Sequence, residues 1–271
     1  MIDRWDARIR RAHALTSLYP SAAEALGFYV RVAALQRSLY VEFEKAPAHA
    51  LNGPSVGALR DELDMAAILP KFPRFLVELE RIAPPPLAHV AAELARKGAA
   101  AWSQAIDDFW RSDGDANGDN TLLAERCLAW LFLQPFAEYL SSRQARVAQD
   151  GAPLRCPVCE ARPIVGVLRP EGDGARKSLV CMLCAHEWTF RRVCCPACGE
   201  DREPQMAFYS AAEIPHVRVD VCDTCHFYLK SVDLTKTGLA VPVVDELATL
   251  SLDLWAREKG YRKFQMNMLG I

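Results

Sequence analysis

Apolar residues recur every three or four positions through most of the first 150 residues, the spacing of one helix face. Phe28, Val32, Leu35 and Leu39 form one such stripe. Ser21-Ala-Ala-Glu24 has the capping-box pattern, so the sequence predicts a helix from there to about Lys45. A second is predicted over 55–68, stopped by Pro70, and another after Pro73, where Phe75, Leu76, Leu79 and Ile82 share a face. Pro84-Pro85-Pro86 is a rigid break that seeds a helix over 87–112. Its buried side would hold Leu87, Val90, Leu94, Trp102, Ile106, Phe109 and Trp110. The stretch 120–149 reads as a long helix kinked at Pro135. Trp130, Leu131, Phe132, Leu133 and Phe136 make it apolar on more than one face, as in a central core helix.

The pattern changes at Asp150-Gly-Ala-Pro153, a turn-rich boundary. Beyond it, short runs suited to strands lie between pairs of cysteines, and Trp188 and Phe190 alternate as in a strand. Asp245 is predicted to cap a helix through Leu247, Leu250, Leu254 and Trp255, closed by Gly260. Tyr261 to Ile271 carries no readable pattern. The expected fold is α+β in two units. Residues 1–150 form an all-α domain; residues 151–271 form a double metal ribbon with short antiparallel strands and a C-terminal helix.

Eight of the 10 cysteines fall into four Cys-x-x-Cys knuckles: Cys156/Cys159, Cys181/Cys184, Cys195/Cys198 and Cys222/Cys225. Two intervening residues let one tight turn aim both sulfurs at a tetrahedral metal, so four turns supply two Cys₄ sites. The 21 residues between Cys159 and Cys181 match the 23 between Cys198 and Cys222, which favours sequential pairing and an internal duplication over a cross-brace. Pro157 and Pro196 pre-set φ in two knuckles. Gly199 follows Cys198, where a positive φ suits the turn; Glu160 stands there in the first module, a looser match. A closed S₄ site suits zinc or a single iron and leaves no coordination position for hydrolytic chemistry. Of the other two cysteines, Cys194 adjoins Cys195, where a packed free thiol is favoured over a replacement ligand or a reactive thiol, and Cys127 sits in an apolar helical run as core.

Charge and motif content narrow the function. The chain has 32 Lys+Arg against 34 Asp+Glu, and residues 156–236 carry 10 basic and 11 acidic side chains. Nucleic-acid binding by a zinc ribbon stands as the alternative function, but it requires a basic footprint, and this balance leaves only a local patch in three dimensions to supply one. A thiol-disulfide oxidoreductase requires one knuckle free of metal, and no pair is set apart. No Gly-x-Ser-x-Gly, P-loop, dinucleotide fingerprint or His-Glu-x-x-His occurs, so no catalytic residues are assigned. Asp113 to Asp119 imitates part of a calcium loop, but Ala124 stands where the closing carboxylate belongs. No run approaches the ~18 apolar residues of a membrane span. Without an apolar leader-like start, the expectation is a cytoplasmic protein with reduced thiols and no membrane insertion.

The residues around the third and fourth knuckles are more specific than the cysteines. They read Arg192-Val-Cys-Cys-Pro-Ala-Cys-Gly199, Glu213-Ile-Pro-His-Val-Arg-Val-Asp220 and Cys222-Asp-Thr-Cys225-His-Phe-Tyr-Leu-Lys230-Ser-Val-Asp233, followed by Asp253-Leu-Trp-Ala256 and Gly260-Tyr261. In these, residues 155–262 resemble the formate dehydrogenase accessory protein family, FdhE; the helical half resembles it by layout. The resemblance implies a non-enzymatic cytosolic factor that assists maturation of respiratory formate dehydrogenase and contacts its catalytic subunit. It also implies two rubredoxin-like sites holding iron on the eight paired cysteines. Glu213, His216, Arg218, Tyr228 and Lys230, around the fourth knuckle, are the candidate partner contacts.

Overall fold

The computed structural model describes residues 2–45, 59–112, 119–143 and 151–270. Its first part is helical: α1 (Ile2–Leu18), α2 (Ala23–Lys45), the short α3 (Leu59–Glu62) and α4 (Met65–Ile68), α5 (Phe72–Glu80), α6 (Pro85–Lys97), α7 (Ala99–Ser112) and α8 (Asn120–Arg143). The α2 C-terminus falls at Lys45, as its stripe predicts. Its start differs: Pro20–Ala22 form a 3₁₀ turn, and no side chain caps it. The helix expected over 87–112 is two. Gly98, at φ 87°, ends α6 after Arg96 and Lys97 in its last turn, and α7 restarts at Ala99. The loop Asp113–Asp119 lies outside the described residues except for Asp119. That residue caps α8, its carboxylate accepting from the Leu122 N–H at 2.8 Å.

α8 is the central helix. Leu128 to Leu133, Phe136, Ala137 and Leu140 are buried. Pro135 lies inside it without ending it. A proline leaves the carbonyl four residues back without its helical donor. That carbonyl belongs to Leu131, and the Gln36 side chain donates to it at 2.8 Å. A polar residue on α2 thereby satisfies the acceptor that Pro135 orphans.

The second part is one mixed sheet. It comprises β1 (Pro163–Glu171), β2 (Gly174–Cys181), β3 (Glu187–Thr189), β4 (Met206–Ser210), β5 (Val217–Cys222) and β6 (Phe227–Asp233), in the order β3-β2-β1-β6-β5-β4. Among these six strands pairing is antiparallel except at the seam, where Gly166–Leu168 run parallel to Ser231–Asp233. Each half is a three-stranded meander carrying two knuckles. Laid side by side, the halves repeat in the same direction, so the sheet is a tandem array of two equivalent ribbons. This is the duplication anticipated from the spacing.

Two helices follow, α9 (Pro242–Ala248) and α10 (Leu250–Glu258), where the sequence suggested one. Asp245 lies inside α9 rather than at its cap; its carboxylate reaches back to accept from the Val241 N–H at 2.8 Å. The patternless tail adds β7 (Arg262–Lys263), parallel to the first residues of β6. Helices and sheet share a continuous apolar core from Ala12 through α8 to Val232 and Ala256.

Candidate metal centres

The four knuckles share one local construction. In three, an N–H closes the turn onto the first cysteine carbonyl: Glu160 onto Cys156 at 2.8 Å, Gly199 onto Cys195 at 2.9 Å, His226 onto Cys222 at 2.8 Å. The residue after the second cysteine has positive φ in all four: Glu160 61°, Ala185 52°, Gly199 77° and His226 56°. The first module is therefore no looser than the second, despite lacking glycine. Backbone N–H groups then face the sulfurs, Val158 to Cys156 at 3.5 Å, Leu183 to Cys181 at 3.3 Å and Ala197 to Cys195 at 3.4 Å. Such donors favour thiolate over thiol.

Pairing is sequential. Cys156, Cys159, Cys181 and Cys184 form one cluster, and Cys195, Cys198, Cys222 and Cys225 the other, with all sulfurs of each within 4.8 Å of one another. Individual separations are 3.6 Å for Cys156–Cys184, 3.3 Å for Cys159–Cys181, 3.6 Å for Cys195–Cys225 and 3.7 Å for Cys198–Cys222. Four sulfurs held ~2.3 Å from a tetrahedral centre lie about 3.8 Å apart, so both clusters are sized for one ion each. Both can hold a metal, and neither leaves an obvious fifth donor. In the first cluster burial works to raise the Cys156 thiol, but hydrogen bonds from Cys159, Cys181, Cys184 and the Val158 N–H outweigh it and bring it down.

The clusters differ in setting. All four cysteines of the first are buried; in the second Cys198 is exposed and Cys225 half-buried. The first is braced by the helices. Trp130 of α8 donates its indole N–H to the Met182 carbonyl inside the second knuckle at 3.0 Å, and Leu59 of α3 donates to the Val158 carbonyl at 3.1 Å. Trp188 covers the same region and donates to the Pro153 carbonyl at 2.9 Å. The sequence marked Trp130 as core but carried no sign of this brace.

Cys194 is buried and joins neither cluster; Arg191 approaches its sulfur at 3.2 Å. Cys127, on α8, is half-buried rather than full core, with its sulfur 3.9 Å from the Met268 carbonyl, and burial pushes its thiol up to about 12.

The five candidate partner contacts divide. Glu213 is exposed. Arg218 is mostly covered, pairs with Asp220 at 2.7 Å and lies over the Phe208 ring at 4.7 Å. His216 meets Asp245 at 3.0 Å. Tyr228 and Lys230 face inward, and burial this deep keeps both from touching a partner in this conformation. The Tyr228 hydroxyl donates to Asp253 at 2.8 Å, and Lys230 binds Asp253 at 2.6 Å and the Glu246 carbonyl at 2.5 Å. Lys263 completes the cluster against Asp253 at 2.9 Å and against Glu246. Buried charges require such pairing, and here it locks α9, α10 and β7 onto β6.

Comparison with known proteins agrees with this geometry. Residues 155–192 match the family described as FdhE, central domain, and residues 193–269 the FdhE C-terminal domain. A protein FdhE homolog of Aquifex aeolicus is 37% identical over 117 residues, covering 42% of this chain and 41% of its own length. Another, from Haemophilus ducreyi, is 31% identical over 140 residues, covering 51% of this chain and 46% of its own length. These matches thus span less than half of the relatives. The crystal structure of the FdhE protein from Pseudomonas aeruginosa superposes over 99% of this chain and 96% of its own, with TM-score 0.72 at 23% identity, so the helical half shares its fold as well.

Proposed function

Because this chain belongs to the FdhE family through residues 155–269, we propose that it is a non-enzymatic, cytoplasmic maturation factor for respiratory formate dehydrogenase. The two S₄ clusters within the family-matched region are the observation that carries this reading. Cys156, Cys159, Cys181 and Cys184 would hold one ion, and Cys195, Cys198, Cys222 and Cys225 the other. Iron is the metal the family resemblance favours. A tetrahedral tetrathiolate ion ties two knuckles together and, if iron, adds a one-electron couple. No helix among the described residues is long and apolar enough to cross a membrane. The division into domains 1–150 and 151–271 is part of the same reading.

The catalytic subunit of formate dehydrogenase would dock on the β4–β5 side of the sheet. Glu213, His216 and Arg218 lie there, and Phe208 and Tyr209 are 63% and 44% exposed. Exposed aromatics rimmed by charge are typical of contact surfaces. The test has two parts. The tagged chain should capture the catalytic subunit of its own host, and Phe208→Asp with Arg218→Glu should abolish capture without loss of bound metal. A deletion strain should lose formate oxidation while still making the enzyme polypeptide; normal oxidation would reject the reading. Anaerobically purified protein should hold two metals per chain, red and bleached on reduction if iron, colourless if zinc.

A further inference from the structure

Among the described residues, the strand order leaves two unpaired edges, β4 and β3. The β3 edge borders a cleft of about 770 Å³ between the sheet, the start of α1, the end of α8 and the entry to α9. Cavities of roughly 300–1,000 Å³ are typical of ligand sites. In the β2·β3 ladder the Cys181 N–H donates to the His186 carbonyl at 2.9 Å and the Phe190 N–H to the Lys177 carbonyl at 2.9 Å. Leu179 faces Trp188 between them. Backbone direction alternates along an antiparallel strand, so 186, 188 and 190 turn to β2, and Glu187 and Thr189 turn their N–H and C=O groups outward. Those groups have no hydrogen-bond partner among the described residues.

The cleft lining is rich in arginine. Arg4, Arg8, Arg169 and Arg176 line the cleft against one carboxylate, Glu187. That carboxylate is neutralised: Arg169 grips it through two bonds of 2.7 and 2.6 Å, and the Ser178 hydroxyl adds a third. Arg8 is committed to Glu138 at 2.8 Å. Arg4 is exposed. Arg176 touches the Thr189 hydroxyl at 3.3 Å, which hangs its guanidinium over the free edge. Its ion pair with Glu171, at 3.5 Å between exposed groups, is worth little.

We propose that β3 is a docking edge for an extended polypeptide segment bearing acidic side chains. The segment adds as a strand, exchanging backbone hydrogen bonds with Glu187 and Thr189. Its residues opposite them project into the cleft and place carboxylates on Arg176 and Arg4. A free strand edge supplies register-independent affinity, and the arginines supply the choice of sequence. This edge lies at the far end of the sheet from the aromatic surface, and the inference does not depend on which enzyme the chain serves.

The test uses the metal-loaded full chain and a fluorescein-labelled eight-residue peptide of alternating Asp and Val, with a Lys-Val peptide as counterpart. The Asp-Val peptide should bind by fluorescence anisotropy at low salt and outbind the other by at least about tenfold, the factor one charge-assisted hydrogen bond supplies. Arg4→Glu with Arg176→Glu should lose about that factor. Thr189→Pro removes an outward N–H without removing a ladder bond, so it should weaken binding while the circular dichroism spectrum and metal content stay unchanged. In the unaltered chain, the Glu187 and Thr189 amides should exchange with solvent rapidly when free and slowly when bound. Absence of binding, or equal binding of the two peptides, would overturn the proposal. Binding without protection of those two amides would also overturn it, leaving a simple anion site.

Discussion

Glu160 holds φ 61° on an exposed surface, with no glycine to make that conformation cheap. Left-handed backbone costs a side-chain-bearing residue about 1 kcal/mol or more, and most for a β-branched one. Glu160→Val should therefore lower the stability of metal-loaded protein by about 1–2 kcal/mol in urea unfolding, whereas Glu160→Gly should not lower it. A knuckle indifferent to Val would mean that the turn is not under this constraint. Only Gly199, among the four equivalent positions, announced the turn in the sequence. At Glu160, Ala185 and His226 metal-site geometry overrides residue preference, which is why the first module was expected to be looser. Asp245 carries a second residue-scale prediction. It is fully buried and accepts from Arg11 at 2.5 and 3.0 Å and meets His216 at 3.0 Å. Burial alone would raise its pKa; the bonds from His216 and Arg11 outweigh burial and hold it below the ordinary carboxylate range. A depressed carboxylate stabilises the fold above its unfolded pKa of ~4 and loses that contribution as pH falls through its folded value. Asp245→Asn should cost about 3 kcal/mol at pH 7 by leaving Arg11 unpaired. The gap to the parent should narrow below pH ~4, as urea titrations over pH would reveal. Metal loss at acid pH is common to both chains and leaves their difference intact.

The element on which the tandem array depends is the β1–β6 seam. Gly166 lies opposite Ser231, and a Cβ there would stand 2.2 Å from the Ser231 hydroxyl and 3.2 Å from its Cβ. That hydroxyl cannot swing aside freely, because it donates to buried Asp220 at 2.7 Å. Gly166→Ala should destabilise by about 1–3 kcal/mol, the usual cost of overpacking a closed core. Gly174→Ala, with nothing closer than 3.9 Å, is the control and should be near neutral. Equal melting temperatures for the two variants would show that the seam yields. The seam was not legible in the sequence, since Gly166 sits in an ordinary apolar run. The long helices were, because apolar period and proline breaks agree over many residues. The failures lie where a local signal competed with a longer one. At Gly98 the basic last turn and the glycine marked an end, but the apolar spacing continued across it. In the tail, β7 spans two residues, and its order comes from buried partners on β6 and α10 that no periodicity records. Tyr228 and Lys230 misled for the same reason: Asp253 and Glu246, which hold them inside, are distant in sequence.

At the scale of the whole molecule, two clusters of equal ligand number occupy unequal positions. The first is sealed, its knuckles bonded to α3 and α8 through the Val158 and Met182 carbonyls. The second sits in the outer ribbon, where no hydrogen bond from α1–α8 reaches its knuckles among the described residues. Exchange of a thiolate-bound ion begins when a competing ligand or water reaches the metal as one sulfur lets go. Cys198, exposed, provides that opening, whereas the first cluster requires the helices and sheet to part. Local opening costs far less at a thinly packed surface than in a core. Protein loaded with two zinc ions and mixed with excess chelating dye should therefore release them in two phases of one equivalent each, the fast one from the outer cluster. Cys198→Ser should accelerate the fast phase or empty that site outright and leave the slow phase unchanged. Trp130→Phe, which removes the indole bond to the Met182 carbonyl but keeps an aromatic in the core, should accelerate only the slow phase. A single phase for both ions would mean that they are lost by unfolding of the entire chain. The same dye trace recorded in urea decides this point, because release by whole-chain unfolding would track the loss of helix and sheet at every denaturant concentration.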